Sequence, residues 1–292
     1  MPIAVRCKLA DGPGRFNLSA MNTSIFDKAT RFRALHAGPR AFVIPNPWDG
    51  GSARLLESLG FQALATSSAA AAATLGRRDY GVTRDEALAM ARVIVEATDL
   101  PVSADLENGF GDAPEVAAET IRFAGEAGLA GGSIEDSTGD AGRPLYDLGH
   151  AVERVAAAAT AARALPFPFV FTARAEGLLH GRGLDEVIER LQAYERAGAE
   201  VLFAPGLKTL ADIRTVCSSV GKPVNFMGGM PAAPTIAELE AAGVRRISLA
   251  TSLYRAAMTG LRDAARDIVQ SGTLTFIDRI MASADWNPLM RG

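Results

Sequence analysis

The segment Ser103-Ala104-Asp105-Leu106-Glu107-Asn108-Gly109-Phe110-Gly111 places two carboxylates two residues apart, where a short apolar run gives way to glycines. Residues 102–105 read as a buried strand. Two-residue alternation then gives Asp105 and Glu107 a shared side-chain direction at its carboxyl end, with Gly109 and Gly111 permitting a tight turn. Hard oxygen donors in that arrangement suit Mg²⁺, which keeps several waters and takes one or two carboxylates directly. The same residues also read as a strand end with two solvated acids, and this segment alone leaves both readings open.

The elements that would position these acids follow a regular rhythm. Short apolar runs at 41–44, 63–66, 102–105, 131–135, 169–174, 201–203, 224–227 and 246–249 alternate with Ala-rich amphipathic segments such as 84–97, 114–127, 184–197 and 236–242. This is the βαβα order of a parallel sheet. Several helical segments close on glycine before the next strand, at Gly60, Gly128, Gly198 and Gly243, as C-caps do. Eight units predict an α/β fold of the (β/α)₈ TIM-barrel type, spanning residues 23–292 with a C-terminal helical extension and preceded by a flexible leader over 1–22. A doubly wound open sheet is the alternative, but no Gly-rich fingerprint follows the first strand. Polar residues gather where a barrel keeps its chemistry, after successive strands: Trp48 and Asp49, Ser67 and Ser68, Asp105 and Glu107, Glu135 and Asp136, Arg174 and Glu176.

Bulk properties narrow the class. The 292 residues are 48% hydrophobic and 22% charged with a formal net charge of −3, which suits one large core and gives no basic footprint for nucleic acid. Cys7 and Cys217 are too few and too far apart for a disulfide framework or a zinc site, so a cytoplasmic location is expected. No apolar run reaches membrane-spanning length.

The runs Pro45-Asn46-Pro47-Trp48-Asp49, Ala65-Thr66-Ser67-Ser68-Ala69, Arg78-Asp79-Tyr80-Gly81, Asp105 to Gly111, Ile134-Glu135-Asp136 and Thr172-Ala173-Arg174-Ala175-Glu176 together resemble the isocitrate lyase and phosphoenolpyruvate mutase superfamily, from about residue 23 to 280. The motifs are individually short, and their order and spacing carry the likeness. The resemblance implies a (β/α)₈ barrel, a dimer or tetramer with the last barrel helix swapped between neighbours, and chemistry that makes or breaks carbon–carbon or carbon–phosphorus bonds beside a 2-oxo carboxylate. It implies Asp105 as direct ligand of Mg²⁺ or Mn²⁺, with Asp79, Glu107 and Glu135 holding the metal through waters. Where the family usually has Asp-Ala-Asp, this chain has Asp105-Leu106-Glu107. By the same likeness Trp48, Ser67, Ser68, Ala69 and Asn225 contact substrate, and Arg174 clamps an oxyanion or carboxylate. Simpler readings stand beside these: Asp79 paired with Arg77 or Arg78, Ser67 and Ser68 as a helix N-cap, and Arg174 in a rim ion pair with Glu135 or Glu176.

Two departures shape the expected activity. Isocitrate and methylisocitrate lyases share a Lys/Arg-rich loop ending Cys-Gly-His after the fourth strand. Here residues 137–147 read Ser-Thr-Gly-Asp-Ala-Gly-Arg-Pro-Leu-Tyr-Asp, and Phe203-Ala204-Pro205-Gly206 stands where those lyases have Phe-Pro-Glu. Both count against those two activities. What remains suffices to chelate a 2-oxo acid and stabilise its enolate. The expectation is a Mg²⁺-dependent lyase or decarboxylase of an oxaloacetate-like 2-oxo or 2-hydroxy carboxylic acid, with Arg174 and Glu135 in the chemistry and Tyr146 or water delivering the proton. His180 is a further substrate or proton-transfer candidate. Alternatives are phosphonopyruvate hydrolysis, a phosphate cup formed by Gly228-Gly229 and Ala250-Thr251-Ser252, and a non-catalytic 2-oxo acid binding protein.

Overall fold

A computed structural model describes residues 23–290. Eight short parallel strands form one sheet: β1 (Phe42–Ile44), β2 (Leu64–Ala65), β3 (Val102–Asp105), β4 (Gly131–Glu135), β5 (Val170–Arg174), β6 (Val201–Phe203), β7 (Val224–Met227) and β8 (Arg246–Ser248). From β2 to β8 each strand pairs with its sequence neighbour, and β1 pairs with β8, so that no ladder joins β1 to β2. The β1–β2 seam is closed by single hydrogen bonds. The Ala65 amide donates to Pro45 O at 3.0 Å, while Asn46 Nδ2 donates to Thr66 O and Asn46 Oδ1 accepts from Leu249 N, both at 2.9 Å. Asn46 thus ties three strand ends together at the top of the barrel.

The helices are α1 (Ile25–Ala37), α2 (Gly50–Ser58), α3 (Ser68–Thr74), α4 (Arg84–Ala97), α5 (Pro114–Glu126), α6 (Leu148–Arg163), α7 (Leu184–Arg196), α8 (Leu210–Ser219), α9 (Ile236–Ala241), α10 (Ser252–Arg266) and α11 (Ser283–Trp286). Their starts follow from their sequences. Asp49, Thr83 and Thr235 form capping boxes with Ser52, Glu86 and Glu238, satisfying amides that the first turn leaves without partners. Buried Ala, Leu, Ile and Val from these helices pack against the outside of the strands. Helix α1 packs into the same core through Phe32 and His36, whose rings meet Phe42 edge-on. The barrel is as expected; the leader over 1–22, with Cys7, lies outside the described residues.

Helix α10 behaves differently from α1 to α9. It follows β8, yet none of its residues is buried, and Leu261 is 62% exposed. The chain then returns to its own barrel, where a Cβ at Gly51 of α2 would lie 3.7 Å from the Trp286 ring. No described helix is long and apolar enough to cross a membrane.

Candidate active site

The carboxyl ends of β2 to β5 converge on one wall of a cavity of about 300 Å³. After β2, Ser67 accepts from the Ala70 amide as N-cap of α3, so the simple capping reading holds for Ser67. That cap leaves Ser68 facing the cavity. Its amide and hydroxyl reach Asp105 Oδ2 at 3.2 and 3.1 Å, and the same hydroxyl lies 2.9 Å from Asp79 Oδ1. One hydroxyl hydrogen cannot serve two carboxylates fully at once, so a proton or a cation between them would relieve their repulsion. Burial foremost, and then the charge of Asp105, raise the Asp79 carboxyl above its ordinary pKa. Asp79 is not paired with a neighbouring arginine; Arg77 bonds Glu86 instead.

Asp105 closes β3, its amide donating to Thr66 Oγ1 at 3.0 Å. Glu107 does not extend the strand. It adopts φ +48°, a left-handed turn, with its amide 3.3 Å from Asp105 Oδ1. It reaches the acid cluster by this turn, not by the strand alternation expected from the spacing. Gly109, at φ +82°, then passes so close to α5 that a Cβ would lie 3.2 Å from Ala117 Cα. The loop is held from outside by Arg154, which donates to the carbonyls of Asn108, Gly111 and Asp112. Glu107 is 5% exposed, and its Oε1 is buried without a partner. Desolvation, then repulsion from Asp105 and Asp79, push its pKa to about 8.

Glu135 closes β4 and Arg174 closes β5, side by side in register. Arg174 Nη1 lies 3.1 Å from Glu135 Oε2 and 3.7 Å from Asp105 Oδ1, and its Nε bonds Glu176. The ion-pair reading of Arg174 therefore holds for both acids, while the residue also lines the cavity. Although burial works against its charge, Glu135, Glu176 and Asp105 hold its guanidinium firmly protonated. One cation shared by three acids leaves them under-compensated. Burial, together with Glu176 and Asp105, raises Glu135 to about 8. Tyr80 also donates to Glu135, with Ser137 Oγ 3.2 Å away.

Asp136 belongs to the scaffold. It accepts from Tyr194 OH at 2.6 Å, Arg190 Nη1 at 3.1 Å and the Glu176 amide at 2.8 Å, which fixes the turn after β5.

The opposite wall comes from β7, β8 and the loops that follow them, including Asn225, Gly228, Gly229, Ser248, Ser252 and Arg255, with Arg246 among the lining residues. Ala69 lines the acid side. Trp48 sits in a small adjoining pocket with Asp105 and Glu107 and meets Tyr254 edge-on.

Tyr146 and His180 are not brought to the cavity. Residues 137–145 fold as a short hairpin, with Ser137 bridging Leu145 and Thr138 N donating to Pro144 O. The Tyr146 hydroxyl beyond it is spent on Asp112 Oδ1 at 2.5 Å, and the ring lies under Arg154. His180 is exposed at the end of a 3₁₀ turn. Cys217 sits in α8, its thiol pushed up to about 11 by burial.

Sequence reasoning assigned no role to Tyr80, Asn46 or Arg246. Tyr80 and Asn46 lie inside the quoted motifs, but their partners are remote in sequence. The one visible signal for Arg246 is a charged residue opening an apolar strand.

Fold and site together define a (β/α)₈-barrel enzyme with an acid-rich centre at the carboxyl ends of its strands. The chain belongs to the phosphoenolpyruvate mutase family of the isocitrate lyase superfamily, since residues 32–269 match the family described as phosphoenolpyruvate phosphomutase. It is 30% identical to a probable 2-methylisocitrate lyase of Corynebacterium glutamicum, covering 91% of this chain and 89% of that one. It is 32% identical to an oxaloacetate decarboxylase of Bradyrhizobium diazoefficiens over 69% of this chain and 70% of that one. A solved structure from Burkholderia cenocepacia J2315, described as a lyase/mutase, is 51% identical with a TM-score of 0.88, covering 90% of this chain and 95% of that one.

Proposed function

We propose that the protein is a Mg²⁺-dependent lyase or decarboxylase of an oxaloacetate-like 2-oxo or 2-hydroxy carboxylic acid. The observation that carries this reading is the under-compensated acid cluster: one Ser68 hydroxyl between Asp79 and Asp105, an unpartnered buried oxygen on Glu107, and a single Arg174 among three carboxylates. Among the described residues no three acid, His or Cys side chains are grouped closely enough to cage an ion. That donor set fits Mg²⁺, which takes few carboxylates directly and keeps its waters. Asp105 would bind directly, and Asp79, Glu107 and Glu135 through waters. When bound, the ion supplies Lewis-acid polarisation of the 2-oxo group and offsets the acids' repulsion.

The chain's own residues do the rest. The Ser68 hydroxyl and amide orient the acid end of the substrate, and Arg174 offers a guanidinium to an oxyanion as charge develops. No Lys, Cys or His lines the cavity among the described residues. This favours decarboxylation, in which carbon dioxide departs without a base and water can protonate the enolate carbon. Similarity to an oxaloacetate decarboxylase supports the same choice. Phosphonopyruvate hydrolysis is a second reading, favoured by Gly228, Gly229 and Ser252 on the same cavity. The bare apolar face of α10 supports a homo-oligomer, dimer or tetramer, in which a neighbouring copy covers that helix.

The test is NMR-monitored turnover of 2-oxo and 2-hydroxy di- and tricarboxylates and phosphonopyruvate, with Mg²⁺ and with EDTA. Metal-dependent carbon dioxide release from one acid is expected, whereas phosphate release would select the second reading. Asp105→Ala should lower turnover on the order of 10³-fold with circular dichroism unchanged. Undiminished turnover in that variant would sink the metal assignment.

A further inference from the structure

Arg246 opens β8 in register with Phe42 of β1 and Asn225 of β7, inside the barrel and only 5% exposed. Its Nε donates to Asn225 Oδ1 at 2.9 Å, and Asn225 Nδ2 in turn donates to Ser248 Oγ at 3.0 Å. Its Nη1 is buried with no hydrogen-bond partner, and no carboxylate among the described residues pairs with it. Desolvation lowers its pKa to about 9, which still leaves it a cation at neutral pH. The nearby His36 supplies no negative charge: an imidazole is neutral or cationic, and burial first, and then Arg246 itself, lower its pKa to about 3 and keep it neutral. A buried cation without an anion is strongly disfavoured, and the fork of a guanidinium anchored at one nitrogen is pre-set to receive a carboxylate.

The cavity that Arg246 lines is divided by charge. Asp79 and Asp105 stand on the β2–β5 wall, and the lining contributed by β6, β7, β8 and their loops contains Arg246 and Arg255 but no carboxylate. A ligand with a single anionic end would satisfy the first wall, through a metal and Arg174, and leave Arg246 uncompensated.

We propose that Arg246 receives a second carboxylate of the substrate, so that this cavity selects 2-oxo or 2-hydroxy diacids over their monoacid counterparts. The inference rests on the 2-oxo acid reading above and adds the specificity-determining residue to it. Asn225 acts through Arg246 as a positioning residue, fixing the guanidinium from Nε.

Binding of three probes by calorimetry separates the two claims: oxalate, which fills only the metal side; lactate, a 2-hydroxy monoacid; and malate, the corresponding diacid. With Mg²⁺, malate should bind on the order of 10- to 100-fold more tightly than lactate, the range for a charge-assisted pair. Arg246→Met should erase that preference and leave oxalate affinity unchanged. Its melting temperature without ligand should not fall, because an unpaired buried charge has been removed. Arg246→Lys, which keeps the charge without the fork, should fall between the two, and it carries the test if the Met variant does not fold. A malate preference that survives both substitutions overturns the proposal. Mg²⁺-dependent oxalate binding with no malate preference in the parent protein also overturns it, while leaving the metal reading standing. Absence of Mg²⁺-dependent oxalate binding removes the metal reading and this inference with it.

Discussion

Replacing Glu135 by Gln should change how folding stability depends on pH in the metal-free protein. Glu135 is 4% exposed, and its one cationic partner, Arg174, is shared with Glu176 and Asp105. Burial, with the charges of Glu176 and Asp105, raises its carboxyl from the ordinary 4.5 to about 8 against the opposing pull of Arg174. The native state therefore keeps a proton that the unfolded chain gives up. Below about pH 4.5 both states are protonated and the group contributes no pH dependence. As pH rises from there towards 8, native stability falls by about 1.4 kcal/mol per unit, the linkage slope for one proton. Above that range the penalty is constant. Between pH 5.5 and 7.5 the accumulated loss is about 2.7 kcal/mol for this residue alone.

Gln keeps an acceptor for Tyr80 and cannot ionise, so it removes that slope while other titrating groups remain in place. Urea unfolding of both proteins at pH 5.5, 6.5 and 7.5 in EDTA measures the difference directly. The stability of the parent relative to Glu135→Gln should decline steadily across the series. A relative stability constant to within about 0.5 kcal/mol over those two units would refute the claim that one guanidinium leaves this acid under-compensated. Added Mg²⁺ should flatten the slope of the parent, because a second cation favours the ionised carboxylate.

Asn46→Ala should lower stability by about 2–3 kcal/mol, because it strands the Thr66 carbonyl after β2 and the Leu249 amide after β8, the two strand ends that Asn46 ties to β1. A lower urea midpoint at unchanged m-value is expected, and a loss under about 0.5 kcal/mol would contradict the clamp. Leu261→Glu, on the exposed face of α10, should reduce the sedimentation coefficient to that of a monomer. A parent chain that already sediments as a monomer contradicts the helix-mediated assembly.

Much of the barrel was legible because its signals are local. A buried parallel strand is a short apolar run, and a helix ending on glycine marks the step to the next strand. The expected bounds of β3, β4, β6 and β7 are those observed, while 63–66 shrinks to Leu64–Ala65. There Thr66 turns its polar atoms to tertiary tasks, its Oγ1 accepting from Asp105 and its carbonyl from Asn46. Alternation brought Asp105 and Glu107 together for the wrong reason. The strand stops at Asp105, and a left-handed turn at Glu107 has no side-chain signature in a residue other than glycine. Tyr146 lies just past a hairpin whose own hydrogen bonds decide its direction, and that hairpin delivers the phenol to Asp112. Arg246 could not be read from its neighbours at all. A lone arginine in an apolar run looks like a strand edge until the barrel closes around it.

The acid cluster and the arginine clamp form one electrostatic unit. A substrate anion reaches Arg174 only in competition with Glu135, Glu176 and Asp105, and of these contacts the 3.7 Å approach to Asp105 is the longest. A divalent cation drawn to Asp105 competes with the guanidinium for that carboxylate. It also stabilises the ionised forms of Glu107 and Glu135, the acids whose pKa values burial has raised most clearly. On the reading proposed above, a metal held by Asp105 would do more than offer a ligand position to the substrate: by competing for Asp105 it would leave that edge of the Arg174 guanidinium for the negative charge developing on a 2-oxo group.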